Sequence, residues 1–275
     1  MPTTIPTTTS STRPGSPSAG DAYFETDTKN YIIYDGANWR VYNYDSAAGW
    51  TGSSSYSLDF DGTDDYVNIA GADSSLNSVT AFSISLWYNL DAYGDVLIGS
   101  GTGNTNGIWL QPFSDGKFYV VIRNGATNTL SATVPSLNTW VHTVVTYNAG
   151  TIKLYLTPSG GTTGTTTITN GPSSTSSTIG ANLSIGRLAW NSSDPFYVNG
   201  KIDEVAIFDY ELTSSQVSSI YNSGSPADLT SYSPVNWWRM GDNEAGTGTT
   251  VTDQGSGGND GTLTNGPTFS TSVPS

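Results

Sequence analysis

The feature that most constrains this chain is a two-residue rhythm of apolar and polar side chains running from Tyr56 to about Phe208. Phe82, Ile84, Leu86 and Tyr88 share one parity, with Ser83, Ser85 and Asn89 on the other; Phe118, Val120 and Ile122 repeat the pattern, as do Ile152, Leu154 and Leu156. Successive strand side chains point to opposite faces, so each run reads as a strand with one face buried. Trp140 to Tyr147 mixes apolar and polar side chains on both parities, as suits a central strand with side chains above and below it. Gly-rich turns at 99–107, 160–164 and 171–181 divide the runs at the spacing of a two-sheet sandwich. The low-complexity stretch 158–178, rich in Gly, Thr and Ser, reads as a long exposed loop. Charged residues make up only 12% of the chain, and Gly, Ser, Thr and Asn fill much of the rest, which favours short strands and polar turns over helices. One helix is expected, capped by Thr213, with Val217, Ile220 and Tyr221 at helical spacing and a stop at Asn222 to Gly224.

The ends of the chain differ from this middle. Residues 1–20 are rich in Thr, Ser and Pro with little to bury, and read as a flexible docking arm. Residues 21–48 alternate aromatic and β-branched runs with Asp-Gly and Asn-containing turns, a small β-meander of about three strands. The main sandwich is expected over 56–225, with further strands in 226–275.

Composition narrows the partners. The chain carries 23 Asp plus Glu against nine Lys plus Arg, a formal charge of −14, so a nucleic-acid backbone would be repelled. The same acidity supplies oxygen ligands for a hard cation such as calcium. With no cysteine, disulfides, thiolate catalysis and Cys-ligated metals are absent. The N-terminus shows no signal-peptide pattern and no stretch nears 18 consecutive apolar residues, so neither secretion by that route nor membrane insertion is expected.

Two segments carry a resemblance. Leu58-Asp59-Phe60-Asp61-Gly62-Thr63-Asp64-Asp65-Tyr66-Val67 opens the sandwich, and Gly200-Lys201-Ile202-Asp203-Glu204-Val205-Ala206-Ile207-Phe208-Asp209 closes it, followed by Leu212 and the helix. Together they resemble the laminin-G-like, concanavalin A-like jelly rolls, which implies an all-β, antiparallel two-sheet jelly-roll sandwich. In that family a strand like Trp237-Trp238-Arg239-Met240-Gly241-Asp242, with a turn-rich segment like Thr252 to Leu263, precedes the opening motif; here it comes last. The fold is therefore expected to be circularly permuted, the C-terminal strands completing either their own sandwich or a neighbour's. Arg13-Pro14-Gly15-Ser16-Pro17, Gly20-Asp21-Ala22-Tyr23-Phe24 and Tyr34-Asp35-Gly36-Ala37-Asn38-Trp39 resemble a short module of bacteriophage tail, fibre and other virion proteins.

Several side chains are candidates for chemistry. On a regular strand Asp203 shares parity with Val205 and Ile207 and is buried, so it needs a partner. One reading makes it a calcium ligand with Asp59 and Asp61, since related jelly rolls often hold calcium where first and last strands meet. The other makes it an acceptor of backbone N–H groups at a bulge, with Asp59 to Asp65 building a tight turn. Asp64 and Asp65 are adjacent, point to opposite faces, and do not suit a glycosidase acid and base pair. The Glu-x-Asp-x-x-Glu run of the jelly-roll glucanases is missing. His142 is the one histidine, and no nucleophile motif accompanies it. Tyr93, Trp109, Trp190, Phe196 and Tyr197 lie in or beside loops rich in Asn, Asp and Gly, where rings can stack on sugars or pack as core and rim.

The expectation is a non-enzymatic bacteriophage structural protein on the virion surface, of decoration, fibre or tail-adhesion type. It would meet other virion subunits through its N-terminal arm, form a homo-oligomer, and bind host or environmental polysaccharide. A bacterial extracellular carbohydrate-binding module is the alternative, and a glucanase-like hydrolase a more distant one.

Overall fold

A computed structural model of the chain describes residues 6–9, 11–25, 30–34, 36–37, 39–43, 54–102, 105–177, 179, 183–188 and 196–275. The chain divides into two compact units, Met1–Gly52 and Ser53–Ser275.

The N-terminal unit is a four-stranded sheet of β1 (Thr7–Thr8), β2 (Ala22–Glu25), β3 (Asn30–Tyr34) and β4 (Trp39–Asn43), in that order. β2, β3 and β4 pair antiparallel, as their alternation implies. Ile32 is fully buried, and Trp39 stands edge-on to Tyr23 at 5.8 Å between ring centroids. The arm expected to be flexible contributes a strand: Thr7 and Thr8 pair parallel with Phe24 and Glu25. Hydroxyls tie the turn after it, Thr8 Oγ1 donating to the Thr12 carbonyl at 2.9 Å and Thr9 N to Thr12 Oγ1 at 3.0 Å. Threonine side chains thus satisfy locally the polar backbone that an unpaired arm would leave to water.

The second unit comprises β5 (Ser57–Asp61), β6 (Tyr66–Ile69), β7 (Ala81–Leu90), β8 (Ile98–Gly101), β9 (Asn106–Pro112), β10 (Lys117–Asn124), β11 (Ala126–Thr133), β12 (Val141–Asn148), β13 (Thr151–Pro158), β14 (Gly164–Ile168), β15 (Leu183–Ile185) and β16 (Asn199–Phe208), then α1 (Ser214–Tyr221), β17 (Asn236–Trp238), β18 (Thr250–Val251), β19 (Gly261–Thr264) and β20 (Thr268–Ser270). One antiparallel sheet runs β11-β10-β9-β8-β15-β6-β19-β18 and the other β14-β13-β12-β7-β16-β5-β20, with β17 also on β16. This is an antiparallel jelly-roll sandwich. The alternating sets meet between the sheets: Phe82, Ile84 and Leu86 of β7 face Phe118, Val120 and Ile122 of β10 across one core that also holds Phe60, Leu154 and Trp238. Each such side chain taken from water contributes about 1.5–3 kcal/mol. No helix among the described residues is long and apolar enough to cross a membrane.

The C-terminal strands pair within their own chain: β17 on β16, β19 on β6 and β20 on β5. Trp238, Met240 and Val251 enter the same core as Leu58 and Phe60, and Ser57 Oγ donates to the Ser272 carbonyl at 2.7 Å. The 158–178 segment, expected as loop, contains the edge strand β14, because the β-branched Thr165 to Ile168 run suits a half-exposed ladder against β13. The helix forms where its cap lies: Gln216 N donates to Thr213 Oγ1 and Thr213 N donates back to Gln216 Oε1.

β16 is not regular. Its pairing with β7 shifts between Asp203 and Ala206, and Glu204 has φ 49°. Ile202 and Val205 face the core, whereas Asp203 pairs with Trp87 on the outer side. The parity expected of Asp203 is thereby reversed: the extra residue of a bulge turns it away from Val205 and Ile207. Near the start of the same strand Gly200 takes φ 137°, and a Cβ there would strike the carbonyl oxygen of Asn89 and lie 2.7 Å from Leu90 Cα. Gly200→Ala should therefore lower stability by at least ~1–3 kcal/mol in urea unfolding; an unchanged midpoint would contradict this account of the bulged strand.

Candidate functional site

The outer faces of the two sheets differ. On the sheet containing β12, β7 and β16, Val144, Ala206 and Phe208 lie beneath Val217 and Ile220 of α1 together with Leu212, Leu229 and Trp237. This face is sealed. His142 sits within it, 1% exposed, its Nε2 2.9 Å from Ser85 Oγ and its ring 4.9 Å from that of Trp87 and 6.0 Å from that of Tyr221. Burial pushes its pKa down to about 3, so the ring is neutral and packs the layer beneath the helix.

Among the described residues the other outer face carries no helix. Strand register lays one row across its eight strands, Thr129, Val121, Trp109, Gly99, Ser184, Asn68, Thr262 and Thr250 being successive partners. Flanking rows add Ser131, Tyr119 and Gln111 on one side and Arg123 and Gly107 on the other. The centre is apolar, built from Val96, Trp109, Val121 and Leu188 with Tyr119 and Phe196 against them. The rim is hydroxyl and amide, with Thr129, Thr250 and Thr262 exposed. Gly107 allows β8 and the indole to approach closely, since a Cβ there would lie 2.8 Å from the Ser100 carbonyl oxygen and 3.3 Å from Trp109 Cζ3.

Two arginines lie over rings on this side. Arg123 Cζ is 4.5 Å from the centroid of Trp109, and Arg187 Cζ is 3.4 Å from that of Tyr66. Such stacking is attractive because the cation faces the negative π surface. Arg123 Nε and Nη1 and Arg187 Nε are buried without a hydrogen-bond partner. Desolvation lowers the pKa of Arg123 from its usual value, although a guanidinium stays charged at neutral pH.

The sequence-predicted aromatics fall around this face unevenly. Trp109 is only 6% exposed beneath Arg123, so it is a floor and not an open platform. Phe196 is half-buried against the same cluster, and Tyr197 is half-buried with its ring 6.5 Å from that of Tyr66. Tyr93 stands apart, its hydroxyl donating to the Pro135 carbonyl at 2.8 Å beside a groove of about 370 Å³ between β11 and β14. Trp190 lies outside the described residues. Sequence reasoning missed Arg123 and Arg187. Arg123 was accessible to it, because it holds the outward parity of the strand whose inward set is Phe118, Val120 and Ile122.

The acidic candidates separate. Asp59 pairs with Lys201 Nζ at 3.1 Å. Asp61 is opposite Asn199, four residues before Asp203, so the trio of Asp59, Asp61 and Asp203 is spread over ~13 Å of strand and does not converge. Asp61 instead meets Asp64 and Asp65, with carboxylate oxygens within 4.8 Å of one another at the β5–β6 turn. Turn bonds engage two of them: Thr63 N donates to Asp61 Oδ1 at 2.8 Å, and Asp61 N to Asp65 Oδ2 at 3.1 Å.

Asp203 belongs to a buried network. It accepts from Ser54 Oγ and from Glu204 N, both at 2.8 Å, the backbone-bonded arrangement of a bulge. Glu204 accepts from Trp237 Nε1 at 2.6 Å and Arg239 Nε at 3.1 Å, while Arg239 Nη2 reaches Asp242 at 2.6 Å. Asp242 Oδ1 accepts from the N–H groups of Ser55 and Tyr56, both at 2.8 Å. Two carboxyls thus share one guanidinium away from water, with Asp203 beside them. Desolvation raises Asp203 well above the carboxylate range, with the charge of Glu204 adding to it, and raises Glu204 to about 7 despite Arg239. At 0% and 4% exposure, neither can reach a glycosidic bond in this conformation.

Comparison with known proteins agrees with this architecture. The family profile of the concanavalin A-like lectin/glucanases superfamily matches residues 61–218, more than half of the chain. The chain matches no curated protein at a significant level. Among solved structures, a protein from Bacteroides ovatus ATCC 8483, provisionally described as carbohydrate binding, aligns at a TM-score of 0.58 with 17% identity over 94% of this chain and 71% of that one. The CBM40 of Ruminococcus gnavus IT-sialidase, solved with α2,3-sialyllactose, aligns at 0.48 with 12% identity over 62% of this chain and 98% of that one. Tailspike protein 2 of Escherichia coli O157:H7 bacteriophage CAB120 aligns at 0.45 with 14% identity over 69% and 30%. The opening and closing motifs, the two antiparallel sheets and the profile match converge: the chain belongs to the concanavalin A-like lectin/glucanases superfamily.

Proposed function

We propose that this protein is a non-catalytic carbohydrate-binding module displayed on the surface of a bacteriophage particle, with the outer sheet face opposite α1 as its glycan site. One observation carries the binding assignment: a face with an aromatic floor and a rim of hydroxyl, amide and guanidinium groups, opposite a face sealed by α1. Sugars present apolar ring faces edged by hydroxyls, and this pattern complements them. The description of the Bacteroides ovatus protein supports the same reading. The particle assignment rests on the N-terminal motifs and the cysteine-free composition; the N-terminal unit would join the module to other subunits, and repeated copies would strengthen weak contacts by multivalency.

Glycan-array binding followed by titration tests the face. Tyr119→Ala combined with Thr129→Ala, at a half-buried and an exposed position of this face, is expected to weaken binding about tenfold, roughly 1.4 kcal/mol, with circular dichroism checking that the variant is folded. Retention of full affinity, or binding to no glycan, would remove the assignment. Release of reducing ends from β-glucans or bacterial polysaccharides, lost on mutating a carboxylate, would replace it with hydrolysis. Detection of the chain in purified particles at a defined copy number tests the virion assignment, and light scattering tests the proposed homo-oligomer.

Calcium enters this proposal at Asp61 with Asp64 and Asp65, a donor set suited to a hard cation. Asp203, with both oxygens already engaged, does not join it. Added calcium should raise the melting temperature and chelator reverse the gain, with Asp61→Asn abolishing the difference. Identical melting under both conditions would exclude calcium here.

A further inference from the structure

We infer that the glycan is an acidic one, a polysaccharide bearing carboxylates, and that Arg123 and Arg187 are the groups that bind those carboxylates. The inference rests on the carbohydrate-binding reading and narrows it to a substrate class. It begins from an imbalance of charge. In a chain with 23 acidic and nine basic residues, an arginine has carboxylates in excess to pair with. Lys153, Lys201 and Arg239 do so, with Glu211, Asp59, and Glu204 and Asp242 respectively. Arg123 and Arg187 have no ion pair among the described residues, and each lies over a ring on the side opposite α1.

Leaving a buried donor without an acceptor costs about 1–3 kcal/mol, more when the group is charged. Arg123 carries two such nitrogens and Arg187 one. Stacking offsets part of that cost and holds the guanidinium plane in place, but a π face does not accept in-plane N–H bonds. A carboxylate does, and the nitrogens open to it are those that are not buried, Nη2 of Arg123 and the two Nη groups of Arg187, the latter able to form two parallel bonds matched to the planar fork. Asp115, at the edge of this face, does not compete: it accepts from Tyr119 Oη at 2.5 Å and from Lys117 N at 3.0 Å.

Spacing sets the size of the ligand. Arg123 is level with Gly107 and Gly101, while Arg187 follows Ser184, which is level with Gly99, three residues on. Their guanidinium groups lie over Trp109 and Tyr66, and Trp109 shares a row with Asn68, three strand spacings across and two residues from Tyr66, so about 16 Å separates them. One sugar cannot touch both, so the fitting ligand is an extended chain with acidic groups at intervals. The overall charge of −14 repels such a chain at a distance, yet beyond about 8 Å physiological salt screens that repulsion, while contacts with half-buried guanidinium groups are screened less.

The test uses the whole protein and pairs of eight-sugar probes: oligogalacturonate, oligomannuronate, oligoguluronate and α2,8-linked oligosialate, each beside its carboxyl-reduced counterpart, plus a sulfated neutral galactan. Calorimetric titration is expected to show at least a tenfold preference for the carboxylated member of one pair or more. Arg123→Gln and Arg187→Gln should each reduce that preference at least threefold, and the double variant should bind both members alike. Because the comparison of paired probes is made on the unaltered protein, it stands even where a variant fails to fold. Binding of neutral probes without any carboxylate preference, or of the sulfated galactan in their place, overturns the inference while leaving the carbohydrate-binding module intact. Failure to bind any glycan, charged or neutral, removes both. A carboxylate preference that survives the double variant overturns the assignment to these two arginines.

Discussion

Arg239→Leu is expected to destabilise the sandwich by about 3–5 kcal/mol near neutral pH, the cost of removing one partner from a buried ion network. Arg239 is 5% exposed and bonds both Glu204 and Asp242, so without it two carboxyls, with Asp203 beside them, remain buried and no cation compensates them. The sign of the pH dependence follows from the raised carboxyl pKa values. Glu204 titrates near 7 in the folded protein and near 4 when unfolded, so the folded state holds the extra proton across that window. The stability linked to that proton is fully present below the unfolded value and is lost as pH rises through about 7. Removing Arg239 lifts the folded values further, so the loss in the variant should be largest near pH 8 and smallest near pH 5. His142 works in the opposite direction: its folded pKa near 3 lies below the unfolded 6.5, so the stability it contributes declines as pH falls through that interval. Urea unfolding at several pH values checks both parts. A loss independent of pH would show that Arg239 acts through packing alone, as its 5.5 Å approach to the Trp237 ring could allow.

A second large effect is expected from the C-terminal strands. A chain stopped after Ser233 should fail to fold, because it loses Trp238, Met240 and Val251 from the core and strips β5, β6 and part of β16 of their neighbours. Replacing one buried Trp by Ala costs about 3–5 kcal/mol, which approaches the whole stability of many domains. Order along the chain should matter far less than presence. Ser270 pairs with Ser57, so joining residue 272 to residue 54 through a short loop turns β20 and β5 into a hairpin. A permutant of the second unit that begins at Pro226 and ends at Ser225 should fold within roughly 1–2 kcal/mol of the parent, since loop length weighs only logarithmically. A folded truncation, or an unfolded permutant, would show that the C-terminal strands are not the integral part of this sandwich that their pairing implies.

Much of this was legible in the sequence because it is local. Period-two runs marked β7, β10 and β13, and the Thr213 to Gln216 spacing marked the helix start. The bulge in β16 was not legible, since nothing in Asp203-Glu204-Val205 announces a positive φ at Glu204, and one extra residue reversed the inferred side of Asp203. β14 hid in a Gly/Thr tract whose composition suits loops and edge strands alike. Trp109 looked exposed from its neighbours in sequence, yet it is covered by Arg123 from the adjacent strand, a contact that only register reveals. Whether the last strands closed this sandwich or another was likewise a question of long-range pairing, invisible to any window of sequence.

The position of β17 to β20 has a consequence for how the protein is made. Synthesis proceeds from the N-terminus, so β5, β6 and β16 emerge from the ribosome before the strands that will flank them, some 30 residues ahead in the case of β16 and about 200 in the case of β5. Until β20 has emerged, the nascent sandwich exposes open strand edges and an unfilled core beside Leu58 and Phe60. Folding of this unit is therefore a late event in translation, and chaperones that shield sheet edges will find their substrate in the interval before it.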